Sequence, residues 1–330
     1  MEEDFSELPW EDKGWLINRQ TTDLHEHARF YDRWDMEIVQ LSAGRFTGRL
    51  FRIDCPHMQI FREYSNLTLL KTGNSWAGSV IFSLPIHAAG SGWMCGAELK
   101  DKVSLLEDGT LLNEMVTPSH LDVVFIALDR NWFMAQALER GFTQVAHALQ
   151  FTHSFSLQLT QQACLSAFFE RFLSDICRND LKEAPQFNFA AIENLVAAQL
   201  LHALSDAYRV AHIKDTERKR IADAARQIFL QNLCEPLGFG DIARQLGISR
   251  RHLHNCFMSS FGVSGYQLLQ AMRLNKVRFE LLMSRKNNRR VSIGDVASEW
   301  GFWHQSRFAA DYVQIFYELP SQTLNGKTAP

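Results

Sequence analysis

The chain has 330 residues, 46% hydrophobic and 22% charged, which excludes a disordered polypeptide and, at roughly 150 residues per domain, fits two domains. Its longest apolar runs, such as Val123 to Leu128, fall far short of the ~20 residues that a membrane span needs. The formal net charge of −3 hides a split: residues 217–330 hold 16 Lys+Arg against 9 Asp+Glu, and the remainder is strongly acidic, so the halves are expected to meet different partners.

In chain order, Met1 to Glu7 carries four acidic residues and no basic stretch, unlike a signal peptide. Residues 20–128 then alternate short β-like runs with turn signals. Strands are expected at 48–53, 58–64, 67–70, 79–84 and 121–128, with glycines at 73, 78, 90, 92, 96 and 109 between them. Many short strands with glycine turns predict a β-barrel or jelly roll. After Asp129 the pattern turns helical, at 131–140, 160–179 and 188–209. Ile192, Leu195, Val196, Leu200 and Leu204 form a stripe suited to an antiparallel helix pair or a dimer seam.

The basic half begins with a helix at about 218–232 and then repeats itself. Gly240-Asp241-Ile242-Ala243 recurs as Gly294-Asp295-Val296-Ala297, and Leu246-Gly247-Ile248 as Trp300-Gly301-Phe302. After a one-residue insertion, Leu253, Phe257 and Phe261 match Phe308, Tyr312 and Phe316. Each copy reads as a short helix capped by Asp241 or Asp295, a glycine turn, and a second helix. Two helices joined this tightly form the helix-turn-helix pattern, whose second helix enters the DNA major groove. Between the copies, 266–283 reads as one long helix able to set two reading heads about one DNA turn apart.

With these elements in place, residues 218–325 resemble the DNA-binding domain of AraC/XylS-type transcription regulators. The resemblance rests on Gly247-Ile248-Ser249, Phe261-Gly262-Val263-Ser264, Arg273-Leu274, Gly301-Phe302 and Pro320-Ser321. Two departures stand out: Gly265 replaces a usual proline, and Tyr317 a usual glycine. Gln40 to Gly48 with Phe61-Arg62-Glu63 resembles the cupin-like sensor attached to such heads. Thr21-Thr22-Asp23 and Gly301-Phe302-Trp303-His304 further resemble regulators of ethanolamine-utilisation operons. Those regulators respond to ethanolamine and adenosylcobalamin.

The resemblance implies an α+β chain of two domains. Residues 1–212 form a cupin-like β-barrel (about 20–128) with dimerisation helices (about 129–212). Residues 213–330 form an all-α domain with helix-turn-helix units at about 240–262 and 294–317. It also implies a ligand-responsive activator of a catabolic operon, and the cysteine usage and short apolar runs imply a cytoplasmic one. Its partners would be double-stranded operator DNA, RNA polymerase, a small-molecule effector and a second copy of the chain, with no bound cofactor and no membrane.

On the first reading helix Arg250, Arg251, His254 and Asn255 lie opposite the apolar stripe. Arginine can pair with guanine and asparagine with adenine. By resemblance Arg251, His254 and Asn255 hold base-contacting positions and Arg250 a phosphate position. The second helix offers His304, Gln305, Ser306 and Arg307, with Ala309 and Ala310 where relatives often carry long side chains. Gln305 and Ser306 are therefore expected to do most of its reading, and Arg307 is a phosphate contact or a solvated side chain.

In the sensor, Arg45, Arg62 and Glu63 are candidates for a polar ligand, or for structural ion pairs, and Trp76 and Trp93 for an apolar pocket wall. His25, His27, His57 and Cys55 resemble a cupin metal set but lack a glutamate at cupin spacing, so no metal site is assigned. The opposing function is a cupin-type metal-dependent enzyme with a DNA-binding appendage. No nucleophile–base set or phosphate loop in the sequence supports it. Six scattered cysteines without a C-x-x-C pair fit a reducing compartment.

Overall fold

Short runs rich in apolar residues build the acidic half as strands, and helices with apolar stripes cover them. The computed structural model describes residues 11–12, 14–94, 96–99, 104–110, 112–149, 153–157, 159–178, 188–205, 208–209, 216–235 and 237–326. Met1 to Glu7, Cys95, Pro236 and the expected domain limit near 212 lie outside them.

The first half runs β1 (Glu11–Asp12), β2 (Leu16–Thr21), α1 (Leu24–Arg29), β3 (Asp35–Gln40), β4 (Gly48–Asp54), β5 (Met58–Ser65) and β6 (Leu69–Asn74). It continues with β7 (Ser79–Ala89), β8 (Gly92–Met94), β9 (Ala97–Leu99), β10 (Ser104–Asp108), β11 (Met115–Val116) and β12 (His120–Asp129). Then come α2 (Arg130–Glu139), α3 (Thr143–Ala148), β13 (His153–Ser156), α4 (Leu159–Arg178), α5 (Phe189–Ser205) and β14 (Tyr208–Arg209).

These strands do not close into the expected barrel. They form two open antiparallel sheets, one ordered β1-β2-β4-β5-β12-β7-β10-β13-β14 and the other β3-β6-β11-β8-β9. The reason lies in strands that are apolar on both faces. Phe51, Ile53, Ile60, Phe82, Val124 and Ile126 of the large sheet pack under Phe133, Phe169, Val196 and Leu200 of the helices. On its other face Leu50 and Phe61 meet Tyr31, Trp34, Met36 and Ile38. Helices, large sheet and small sheet therefore stack as layers, and each layer buries what the next exposes. The α5 stripe, expected to suit an antiparallel helix pair or a dimer seam, is spent within the chain: Val196, Leu200 and Leu204 are buried in their own core, and Leu195 stays exposed.

The basic half is helical throughout its described length: α6 (Glu217–Gln231), α7 (Phe239–Gln245), α8 (Arg250–Phe261), α9 (Gly265–Lys286), α10 (Ile293–Glu299), α11 (Gln305–Phe316) and α12 (Pro320–Asn325). The caps sit three residues earlier than expected. Gly238 and Ser292 are the N-caps, while Asp241 reaches back to accept the Gly238 N–H at 3.0 Å and the Asp295 N–H donates to the Ser292 hydroxyl at 3.3 Å. Gly247 and Gly301 make the turns at φ +68° and +82°, a conformation that a β-carbon disfavours. The 22 residues of α9 span roughly 33 Å at 1.5 Å per residue, close to one DNA turn.

The outer face of the small sheet is the seam between the halves. Val39, Leu70 and Val116 share one apolar cluster with Ala222, Phe229, Phe257 and Met272. The edge strand β3 would leave unpaired backbone groups. Instead the Gln40 N–H donates to Asn275 Oδ1 at 3.0 Å, and Asn275 Nδ2 donates to the Gln40 carbonyl at 3.1 Å. A side-chain amide of α9 thus stands where a neighbouring strand would.

Candidate nucleic-acid interface

The first unit is built from its core outward. Leu253, Cys256, Phe257 and Phe261 bury one face of α8, against α6 and α9. The Ser249 hydroxyl accepts the His252 N–H at 3.1 Å and so fixes where the helix starts. The remaining face presents Arg250, Arg251, His254 and Asn255, all exposed. The Arg250 guanidinium is laid back over α7: a β-carbon on Gly240 would come within 2.2 Å of it. That leaves Arg251, His254 and Asn255 as the outward groups, two of them able to pair with a purine edge through two hydrogen bonds.

The second unit repeats this frame with different side chains. Phe308, Tyr312 and Phe316 are buried, and Gln305, Ser306 and Arg307 are exposed. His304 is the N-cap without a side-chain capping bond. Gln305, the counterpart of Arg250, donates from Nε2 to the Gly294 carbonyl at 3.2 Å. Arg307 donates to the Tyr266 hydroxyl at 3.2 Å and lies 3.9 Å from Asp311. Ser306, Ala309 and Ala310 stand where the first helix carries Arg251, His254 and Asn255.

The sensor touches both units. The Gln40 amide nitrogen lies 3.0 Å from the Ile315 carbonyl, and the Gly44 N–H donates to the same oxygen at 2.9 Å. Glu114 pairs with Lys219 and, at 2.9 Å, with Arg226. Lys276 pairs with Glu37 at 2.8 Å. Trp93 fills the notch at Gly262, where a β-carbon would come within 2.4 Å of its ring.

The five sensor candidates do not converge. Successive strand residues point to opposite faces, so Arg62 and Glu63 part company. Arg62 makes a two-point pair with Asp122 at 3.0 and 2.7 Å. Glu63 points between the sheets, 1% exposed, where it pairs with Lys71 and holds His27 Nε2 at 2.8 Å. Burial alone would raise its carboxyl, but Lys71 and the His27 bond outweigh that and hold it well below the usual carboxylate range. Arg45 is exposed, with Nε 3.4 Å from the Tyr317 carbonyl. Trp76 lies under the Arg33 guanidinium at 4.5 Å, and Trp93 belongs to the seam.

A cavity of about 520 Å³ opens instead between α1, β3 and α9, lined among others by Asp23, His25, Asp35, Ile38, Lys276 and Phe279. Sequence reasoning missed it because its walls lie some 240 residues apart. In the sequence His25 stands out only as a metal candidate; its ring lies 4.3 Å from that of Phe279, and desolvation there pushes its imidazole below the usual range. The other members of that metal set have separate partners. His57 bonds Glu193 at 3.1 Å, and burial pushes the Cys55 thiol up to about 12.

Comparison with known proteins follows the same division. A helix-turn-helix domain model matches residues 242–326. The chain is 35% identical over 96 residues to the probable thc operon regulatory protein of Rhodococcus erythropolis, covering 29% of this chain and 28% of that protein. It is 30% identical over 131 residues to XylDLEGF operon transcriptional activator 2 of Pseudomonas putida, covering 40% of this chain and 81% of that one. The chain belongs to the AraC/XylS family of regulators. Among solved structures it is similar to the C-terminal domain of AraT, a response regulator from Geobacillus stearothermophilus, at 21% identity and a TM-score of 0.31, over 35% of this chain and 92% of that one. The match to the thc regulator spans little more than a quarter of that protein.

Of the two departures from the AraC/XylS pattern, Gly265 has a local reason and Tyr317 has none in the structure. A β-carbon at 265 would come within 2.1 Å of the Phe239 ring, so the ring occupies the space a proline would need. Tyr317 ends α11 at φ +52°, matching Gly262 at +67° in the first unit, and accepts the strain of a left-handed non-glycine residue. Among the described residues no helix is long and apolar enough to cross a membrane.

Proposed function

We propose that this chain is a sequence-specific DNA-binding transcription regulator of a catabolic operon, acting as an activator that responds to a small molecule. One observation carries the reading: two helix-turn-helix units of one AraC/XylS domain hang on α9, and the first turns Arg251, His254 and Asn255 outward together. In this reading residues 1–212 sense and residues 213–330 bind DNA. Arg251, His254 and Asn255 read bases, and Arg250 and Arg307 hold phosphates. The activator step adds contact with RNA polymerase.

The effector reading is supported by the cavity between α1, β3 and α9. One wall belongs to the sensor and the other to the helix that carries both reading heads. A ligand there acts on how the sensor sits against the helix that carries both heads, because it favours one arrangement of the two halves. Ethanolamine is one candidate, on the resemblance alone. Homodimerisation, expected from the sequence, would use surface other than the buried part of the Ile192–Leu204 stripe. The relatives named above are operon regulators, and no observation favours the enzyme reading.

The test is a genome-wide map of bound sites with transcript levels in parent and deletion strains. Binding upstream of one catabolic operon whose transcripts fall on deletion is expected. An even spread of sites, with no transcript change, contradicts the proposal.

A further inference from the structure

We infer that the second helix-turn-helix unit is a clamp on the DNA backbone, indifferent to base sequence, with Lys286, Arg289, Arg290 and Arg307 as its phosphate-binding surface. The inference rests on the DNA-binding reading and adds a division of labour between the two units.

The repeat supplies the first argument. In register, Arg251, His254 and Asn255 become Ser306, Ala309 and Ala310. Two methyl groups and one short hydroxyl can brush a thymine methyl or accept one bond, but they cannot make the two-point contacts that separate one base pair from another. Gln305, the long amide on this helix, is turned back onto the Gly294 carbonyl at 3.2 Å. The second reading helix therefore keeps the shape of a reader without the side chains of one.

Charge supplies the second. Where α9 ends, the chain turns through Asn288 at φ +52° and passes Lys286, Arg289 and Arg290, all exposed, before Ser292 caps α10. Arg289 is steadied by the Ser284 hydroxyl at 3.2 and 3.3 Å. None of the three has a carboxylate partner among the described residues. The Gln305–Gly294 bond ties the start of α11 to the start of α10, so this loop adjoins the end of the helix that faces DNA. Arg307 stands one turn along, 69% exposed. In the first unit the positions of Lys286, Arg289 and Arg290 hold Asn232, Glu235 and Pro236, which offer no cation. The unit lacking base readers has the basic loop, and the unit with base readers lacks it. Phosphate contacts bring affinity and register without sequence information.

The experiment uses the full chain and three variants: Arg289→Gln with Arg290→Gln, Lys286→Gln with Arg290→Gln, and Arg251→Ala. Each is measured by selection over randomised duplexes, and by affinity against salt on the selected site and on a scrambled one. The two loop variants should weaken both duplexes by the same factor and lower the salt slope by about 2, at roughly 0.9 per phosphate contact. They should leave the selected sequence unchanged, whereas Arg251→Ala should alter it. A selected site with two equally informative segments, or loop variants with the parent's slope, overturns the clamp while leaving DNA binding intact. A parent that binds no duplex at low salt overturns the DNA-binding reading, and the clamp with it.

Discussion

The Arg250 guanidinium rests on the backbone of Gly240, so close that a β-carbon there would come within 2.2 Å of it. Gln305 bears the same relation to Gly294 one repeat later, through a 3.2 Å bond. The first residue of each reading helix thus latches that helix to the one before it. The latch needs glycine at 240 and removes Arg250 from the row of outward groups. Arg250 and Arg251, adjacent in sequence, therefore face different tasks.

Replacing each arginine by alanine separates those tasks. Arg251→Ala should cost about 1–3 kcal/mol of discrimination at one or two base pairs. Arg250→Ala should weaken all duplexes alike, because it removes the proposed phosphate contact and loosens α8 against α7 without removing a base contact. Competition binding with single-base variants of the selected site distinguishes the two.

Glu63→Gln should destabilise the sensor by about 3–5 kcal/mol, because it leaves Lys71 charged and without its carboxylate between the sheets. Chemical unfolding of the two proteins at pH 7 measures it. The sign with pH follows from the depressed carboxyl: its contribution is complete above the usual carboxylate value of 4.5 and is lost as pH falls through the lower folded value. The stability gap between parent and variant should therefore narrow on strong acidification.

The helical half was legible because each copy of the repeat carries its own signals within about twenty residues: small alanines, one glycine turn, and aromatic residues every four positions. Only the caps moved, to Gly238, onto which the Asp241 carboxylate folds back, and to Ser292, whose hydroxyl takes the Asp295 N–H. The five main strands were legible from short β-like runs set between turn signals. Their closure was not, because apolar residues on both faces of β4 and β5 fit a layered stack as well as a barrel. The sensor site was hardest. Arg62 and Glu63 look like one polar cluster until strand geometry sends them to opposite faces, and the cavity needs Asp35 beside Phe279. Such contacts between distant segments leave no periodic trace in the sequence.

Asn275→Leu should weaken the seam while sparing both halves. It removes the donor and acceptor that satisfy Gln40 on the open edge of β3, at about 1–3 kcal/mol for each stranded backbone group. Hydrogen exchange should show faster loss of protection at Gln40 and the facing part of α9, with the cores of β5 and α8 unchanged.

The seam should also loosen in mild acid. His25 lies against α9 with its ring tilted over Phe279, and desolvation there, helped by the nearby Arg29, Lys276 and Lys286 charges against the opposing pull of Asp23, holds its imidazole below 6.5. Its contribution is complete above pH 6.5 and is lost as pH falls through the lower folded value, since protonation favours separated halves. Proteolysis between the halves should quicken over that range in the parent. In His25→Asn the pH dependence should be smaller.

The central claim is that α8 reads base sequence through Arg251, His254 and Asn255. Selection of bound sites from randomised duplexes, run on the full chain and on Arg251→Ala, tests it most directly. The parent should return one compact informative segment, and the variant should lose preference at one or two base pairs within it. Identical selected sequences from parent and variant would contradict the claim.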